Sequence, residues 1–359
     1  MKEGNQEVEL TKGTRALAVW AASFVLSLAQ WHHVVLFFHG NLSDIIQAEQ
    51  GILDGYPHWR LFQSRLLGPW SEKSLNLLFG FDLLLAHVIV AVTALTICGV
   101  VMFHAGRAIG GSQRGWSALL ALHLLFTLMM SPEWLYIWDF FVLLAAAIFM
   151  LLTIRQAPWW SFLLLMSVAF LNHESALFIG VWMVAKALAD AWAERRGPDW
   201  EMLAGGALGS FGGVLLMEYL RTTLLKREIG WELFPAADPL NDYYYFHLRL
   251  LGNLSDIYKW IIHPHSTLLF VIPLPLILTL SFAVMLIVRH GMHGVPLAVY
   301  AVAQVAALLL FGIIGESRTL LTLVPFLCLG GMLATSACSI EARSPPDSAP
   351  GSVSDKNVG

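Results

Sequence analysis

Four short stretches concentrate the residue types that do chemistry. NHES at 172–175 sets His173 beside Glu174, a pair that can move a proton or offer ligands to a metal. Adjacent helical residues point about 100° apart, so the two need not share a target. No second His/Glu pair stands at metal-ligand spacing, and no metal is expected. The competing reading is a turn whose Asn172 and Ser175 cap the following helix. GESRTLLTLVPF at 315–326 puts Glu316 and Arg318 at the mouth of the last apolar run. There they either pair with each other or leave Arg318 to reach a phosphate. SRLLGPW at 64–70 contains Arg65 and follows Arg60, and the planar forks of these two match phosphate oxygens. Snorkelling to anionic headgroups is the other reading for those two. In SPEWLYIWD at 131–139, Glu133 and Asp139 bracket aromatics that suit an interfacial belt. Asp139 lies deeper in its helix than Glu133 and is the more suspect acid.

The elements that must position these residues are membrane helices. The chain has 359 residues, 57% hydrophobic and 13% charged, with a mean hydropathy of +0.66, which excludes an ordinary soluble domain. Ten apolar segments are predicted, at about 15–38, 81–104, 116–131, 135–153, 158–172, 175–190, 201–219, 267–289, 295–313 and 319–338. The fifth rises only about 21 Å, and fusing it with the sixth would give about 50 Å, so two helices joined at Asn172–Ser175 are expected. Basic residues then favour an N-terminus and C-terminus inside: Lys12, Arg15, Arg107, Arg114, Arg155, Lys186, Arg195, Arg196 and Arg289 fall on inner connections. The expectation is an all-α polytopic protein of about ten transmembrane helices. Residues 1–340 form one domain, short amphipathic helices lie in two long outer loops at about 39–80 and 220–266, and 341–359 is a disordered cytoplasmic tail. The polar N-terminus does not read as a signal peptide. Cys98, Cys328 and Cys338 lie in apolar runs and imply no disulfide.

This layout puts most of the remaining ionisable groups, Asp44, Asp54, Asp256 and Glu218 among them, on the outer face. In the first outer loop Ile45, Ile46, Ala48, Ile52 and Leu53 share a helical face, with Asp44, Gln47, Glu49 and Gln50 largely elsewhere, as in a helix lying on a membrane surface. Gly55 and Pro57 end it, and Gly68-Pro69 stops the next short segment. In the second loop Tyr243, Tyr244, Tyr245 and Phe246 suit either a sugar ring or an interfacial belt. The hexapeptide GNLSDI occurs at 40–45 and 252–257. Both copies are predicted as helix punctuation, with Gly40 and Gly252 after a helix end and Asn41 and Asn253 as N-caps. Gly205, Gly209 and Gly213 form a small-residue stripe for close helix packing. No Walker loop, GxGxxG, CxxC, HExxH or GxSxG is present, and a net charge of −4 gives no basic bias, so neither soluble nucleotide nor nucleic acid is expected.

The layout resembles the GT-C class of membrane glycosyltransferases, and SRLLGPW, NHESALFIG and GESRTLLTLVPF resemble segments of bacterial membrane proteins grouped near that class. The chain differs from those in having His173 where they carry Arg and Gly68 before Pro69. The resemblance implies transfer of a sugar from a polyprenyl-phosphate carrier to an acceptor on the outer face of a bacterial inner membrane, in cell-envelope polysaccharide synthesis. It places the general base soon after the first helix, at Asp44, with Asp54 in reserve. It assigns phosphate contacts to Arg65 and Arg318, then Arg60, with His173, Glu174, Glu316 and Asp139 lining the substrate site. The implied partners are a lipid-linked sugar or lipid phosphate and membrane lipids; no cofactor is indicated. Two other functions stand beside it. One is a transporter or flippase, suggested by His87, His123 and Asp139 inside apolar runs. The other is a non-catalytic envelope assembly protein.

Overall fold

The computed structural model describes residues 12–38, 41–57, 60–129, 135–226, 248–262, 272–312 and 317–336. All regular structure among them is helical, and six stretches are long and apolar enough to cross a bilayer, which makes this a multi-pass membrane protein. In chain order the helices are α1 (Lys12–Phe38), α2 (Leu42–Asp54), α3 (Leu67–Phe79), α4 (Leu83–Met129), α5 (Ile137–Ile154), α6 (Trp159–Phe170), α7 (Leu177–Glu194), α8 (Trp200–Thr223), α9 (Leu250–Ile262), α10 (Pro273–His290), α11 (Val295–Phe311) and α12 (Val324–Thr335). Four 3-10 turns, Arg60–Ser64, Glu174–Ala176, Gly291–Gly294 and Ser317–Leu323, stand between them.

α4 is a helical hairpin. Its backbone breaks at Gly110 and Gly111, the latter at φ +84°, where only glycine is relaxed. The arms then close tightly: a Cβ on Gly115 would lie 2.8 Å from the Phe103 carbonyl oxygen. This matches the two apolar segments predicted there. α1 lies along α4, tied to it by Ser23 Oγ donating to the Thr96 carbonyl at 2.8 Å and by Gln30 beside His123 at 2.8 Å. α12 packs on α4, α5 and α10 and is the most enclosed of the spans, whereas α8 is the least. α8 still seats firmly on α6 and α7, because its glycine stripe admits them. A Cβ on Gly209 would strike Met166, and one on Gly213 would strike the Phe170 ring.

Several local expectations need correction. Gly68-Pro69 does not stop a helix but opens α3: proline tolerates a first turn because its missing N–H is not needed there. Gly68 also lets α3 approach Ile137 closely. The second GNLSDI copy is not punctuation either. Gly252 and Asn253 lie inside α9, and the Asn253 amide reaches across to the carbonyls of Leu308, Leu309 and Gly312 at the C-terminal end of α11, at 3.3, 2.9 and 2.9 Å. In the first copy Asn41 does take the N-cap position of α2, with Asp44 in its first turn, while Gly40 lies outside the described residues. α2 ends at Gly55, φ +84°, as its sequence predicts. The tail 341–359, Cys338, Glu133, Glu316 and Tyr243–Phe246 lie outside the described residues.

Candidate functional site

Three backbone links gather the chemistry at one end of the bundle. The Leu66 and Leu67 N–H groups both donate to the Leu171 carbonyl, at 2.8 and 3.0 Å, docking the segment after the first 3-10 turn onto the end of α6. The Asn172 amide donates to the Trp138 carbonyl at 2.9 Å, tying the NHES turn to α5. The Lys226 N–H donates to the Gly55 carbonyl at 2.8 Å, bringing the end of α8 to the end of α2. His173 Nδ1 accepts the Ser175 N–H at 3.1 Å, so its ring proton sits on Nε2, and His173 rather than Asn172 caps the short turn that follows.

Arg65, Arg221 and Arg318, from three separate elements, meet Asp139 and Glu174 here. Arg65 Nη2 lies 3.3 Å from Glu174 Oε1, and Arg221 Nη2 lies 3.6 Å from Glu174 Oε2. Arg318 Nη1 lies 3.5 Å from Asp139 Oδ2, which also accepts the Tyr136 N–H at 3.0 Å. The rings of Tyr136 and Trp138 stack at 4.3 Å. Arg318 covers the Tyr136 ring at 4.8 Å, and Arg65 sits 4.6 Å from the Phe62 ring and 5.4 Å from that of Trp138. Arg65 is fully enclosed, so it is not snorkelling at a surface. Its burial pulls the guanidinium below its ordinary value, and the charges of Glu174 and Asp139 raise it against that pull. Burial likewise pushes His173 down to about 4, with Glu174 opposing and the three arginines reinforcing, which leaves a neutral imidazole. Arg65 Nε and Trp138 Nε1 are buried donors with no acceptor among the described residues. The cluster reaches the protein surface at Glu174, whose side chain is 37% exposed.

The structure therefore brings together Arg65, Asp139, His173, Glu174 and Arg318. Asp44 and Asp54 do not join them. Asp44 is half-buried beside Ser43 Oγ at 3.5 Å, Asp54 is exposed, and neither is among the charges acting on Arg65. Arg60 lies on the first 3-10 turn, its side chain outside the described set, as is Glu316. Arg221 escaped sequence reading, although an arginine in the last turn of an apolar helix is a usable signal.

A second cluster was missed altogether. Glu49 was placed on the polar face of α2, but the buried face comprises Ile45, Ala48, Glu49 and Ile52. His87 Nδ1 lies 3.0 Å from Glu49 Oε2 and 2.7 Å from Glu72 Oε1, with all three side chains essentially without solvent contact. Glu49 Oε1 accepts the Ile137 N–H at 2.7 Å. Burial, reinforced by Glu49, pushes the Glu72 carboxyl up to about 8. His87, His123 and Asp139, read together from sequence as a transport set, sit in three separate clusters.

No protein-family model matches the chain, and no curated protein or solved structure matches it either.

Proposed function

We propose that the guanidinium cluster receives the phosphate of a polyprenyl-linked sugar, and that the chain transfers this sugar to an acceptor at the outer face of a bacterial inner membrane. The carrying observation is the pair of adjacent buried donors, Arg65 Nε and Trp138 Nε1, which lack an acceptor among the described residues. A buried donor left unbonded costs about 1–3 kcal/mol, and phosphate oxygens satisfy guanidinium and indole N–H groups alike. In this reading the α1 helix adds to the six apolar stretches, whose internal breaks and the short α6 raise the crossings to about ten, with both termini inside. α2, α3 and α9 lie at the outer face.

Transfer breaks the bond between the sugar's anomeric carbon and the phosphate oxygen while the acceptor hydroxyl oxygen bonds to that carbon. The guanidiniums stabilise the charge that returns to the lipid phosphate. The hydroxyl proton passes to a carboxylate, for which Asp44 is the first choice and Asp54 the reserve. Glu174 and Asp139 are poorer bases, since each is already paired with a guanidinium. The test uses the purified chain in detergent with undecaprenyl phosphate and with polyprenyl-phosphate hexoses and pentoses. Wild type is expected to bind the lipid phosphate and release it from a sugar-loaded carrier; R65A loses both, and D44N keeps binding and loses release. Equal binding by wild type and R65A refutes the anion site. Binding by wild type without release of any sugar refutes transfer and favours movement of the lipid.

A further inference from the structure

We propose that Glu49, Glu72 and His87 form a buried three-ligand site for one divalent transition-metal ion, of the zinc class, with a water in the remaining position. The three residues come from α2, α3 and the first arm of α4, and the site is separate from the guanidinium cluster. One donor atom of each lies within 4.8 Å of the others, and the imidazole Nδ1 sits 3.0 and 2.7 Å from the two carboxylate oxygens. A nitrogen or oxygen ligand binds zinc at roughly 2.0–2.2 Å, which sets neighbouring ligand atoms of a tetrahedral site about 3.3–3.6 Å apart. The imidazole–carboxylate contacts need to open by roughly 0.3–0.9 Å to accept an ion. A single Nδ1–H shared between two carboxylate oxygens aligns well with neither, whereas an Nδ1 lone pair and two carboxylates can point at one cation.

The surroundings support a cation over an ordinary ion pair. No lysine or arginine pairs with either carboxyl group among the described residues, so two buried carboxyl groups meet one imidazole. With a neutral imidazole, a divalent ion makes the group electrically neutral, which burial demands. The ligands are also oriented from outside. Glu49 Oε1 is held by the Ile137 N–H, leaving Oε2 to the ion, and the His87 ring packs against Trp31 at 5.3 Å. A cavity lined by His87, Trp31, Val34, Leu42, Ile45 and Leu135 measures about 10 Å³, at the limit for a single water. Substrate has no room there, and the ion's role is to bind α2 and α3 to α4.

The experiment is elemental analysis of the full-length chain purified in detergent, followed by chelation and reloading with Zn²⁺ or Co²⁺. About one ion per chain is expected in wild type, and E72Q and H87Q should hold less than about a tenth of that. Stripped wild type is expected to melt lower and to regain its melting temperature with Zn²⁺. With Co²⁺ it should develop visible ligand-field absorption, a readout that needs no variant to fold. Wild type that is folded and metal-free, with neither a melting shift on Zn²⁺ nor absorption with Co²⁺, overturns the proposal. The triad is then neutralised by two bound protons instead.

Discussion

Asn253→Ala isolates one side chain that joins two helices. Its amide nitrogen carries two protons and addresses the Leu309 and Gly312 carbonyls at 2.9 Å each, with Leu308 more distant at 3.3 Å. Two good bonds at about 0.5–1.5 kcal/mol each give a loss of roughly 1–3 kcal/mol. The upper half of that range is expected, because the Leu309 and Gly312 carbonyls lie at the end of a helix, where carbonyls lack the regular intrahelical donor. Asn253→Asp should be worse than alanine. It replaces both donors with negative oxygens facing carbonyl oxygens at the negative pole of α11. The measurement is equilibrium unfolding in mixed detergent–SDS micelles, with a probe on α9 and a probe on α11. The expected order of stability is wild type, then Ala, then Asp, with both probes shifting together. An aspartate variant as stable as wild type, or an alanine variant within about 0.3 kcal/mol of it, refutes the reasoning.

Gly213→Ala drives a methyl into the Phe170 ring and should cost about 1–3 kcal/mol in the same unfolding assay, while alanine at Gly212, which faces open space, should be nearly neutral. Glu174→Gln removes a carboxylate that competes for Arg65 and Arg221, so undecaprenyl phosphate should bind several-fold more tightly, read by titration; weaker binding would count against the anion site. His173 is held near 4, below the 6.5 of an unfolded chain, so between those values the unfolded state carries the extra proton. Its contribution to stability is complete above about pH 6.5 and is lost as pH falls towards 4, by at most roughly 3 kcal/mol and less for a ring that is 23% exposed. A stability–pH curve that His173→Gln leaves unchanged in this window would refute that account.

The apolar spans were legible because a bilayer admits little else: nine of the ten segments fall within a few residues of helices, and the Gly110–Gly111 break separates the second from the third as predicted. The last is shortened, since residues 317–323 form a 3-10 turn before α12. Arg65, Asp139, His173, Glu174 and Arg318 were visible as costly charges near helix ends. What could not be read was direction. Nothing in LSDIIQAEQGILD tells Glu49 from Gln47 or Gln50, because burial of that carboxylate depends on His87 and the Ile137 N–H, residues distant in sequence. Asn253 was misread for a related reason: Gly-Asn is a common helix boundary, and only contact with α11 makes it a helix interior.

The two carboxylates at the head of α5 bear on how that helix can move. Asp139 takes the N–H of Tyr136 from within the head of α5, whereas Glu49 of α2 takes the next N–H, that of Ile137, from outside it. A helix held in this way cannot roll about its long axis without tearing the Glu49 bond. α5 is a fixed post, and Trp138 and Asp139 form the stationary wall of the guanidinium cluster. Any tightening around an anion must then come from the opposite wall, where Arg221, the His173–Glu174 turn and Arg318 are borne on a helix end and two short 3-10 segments.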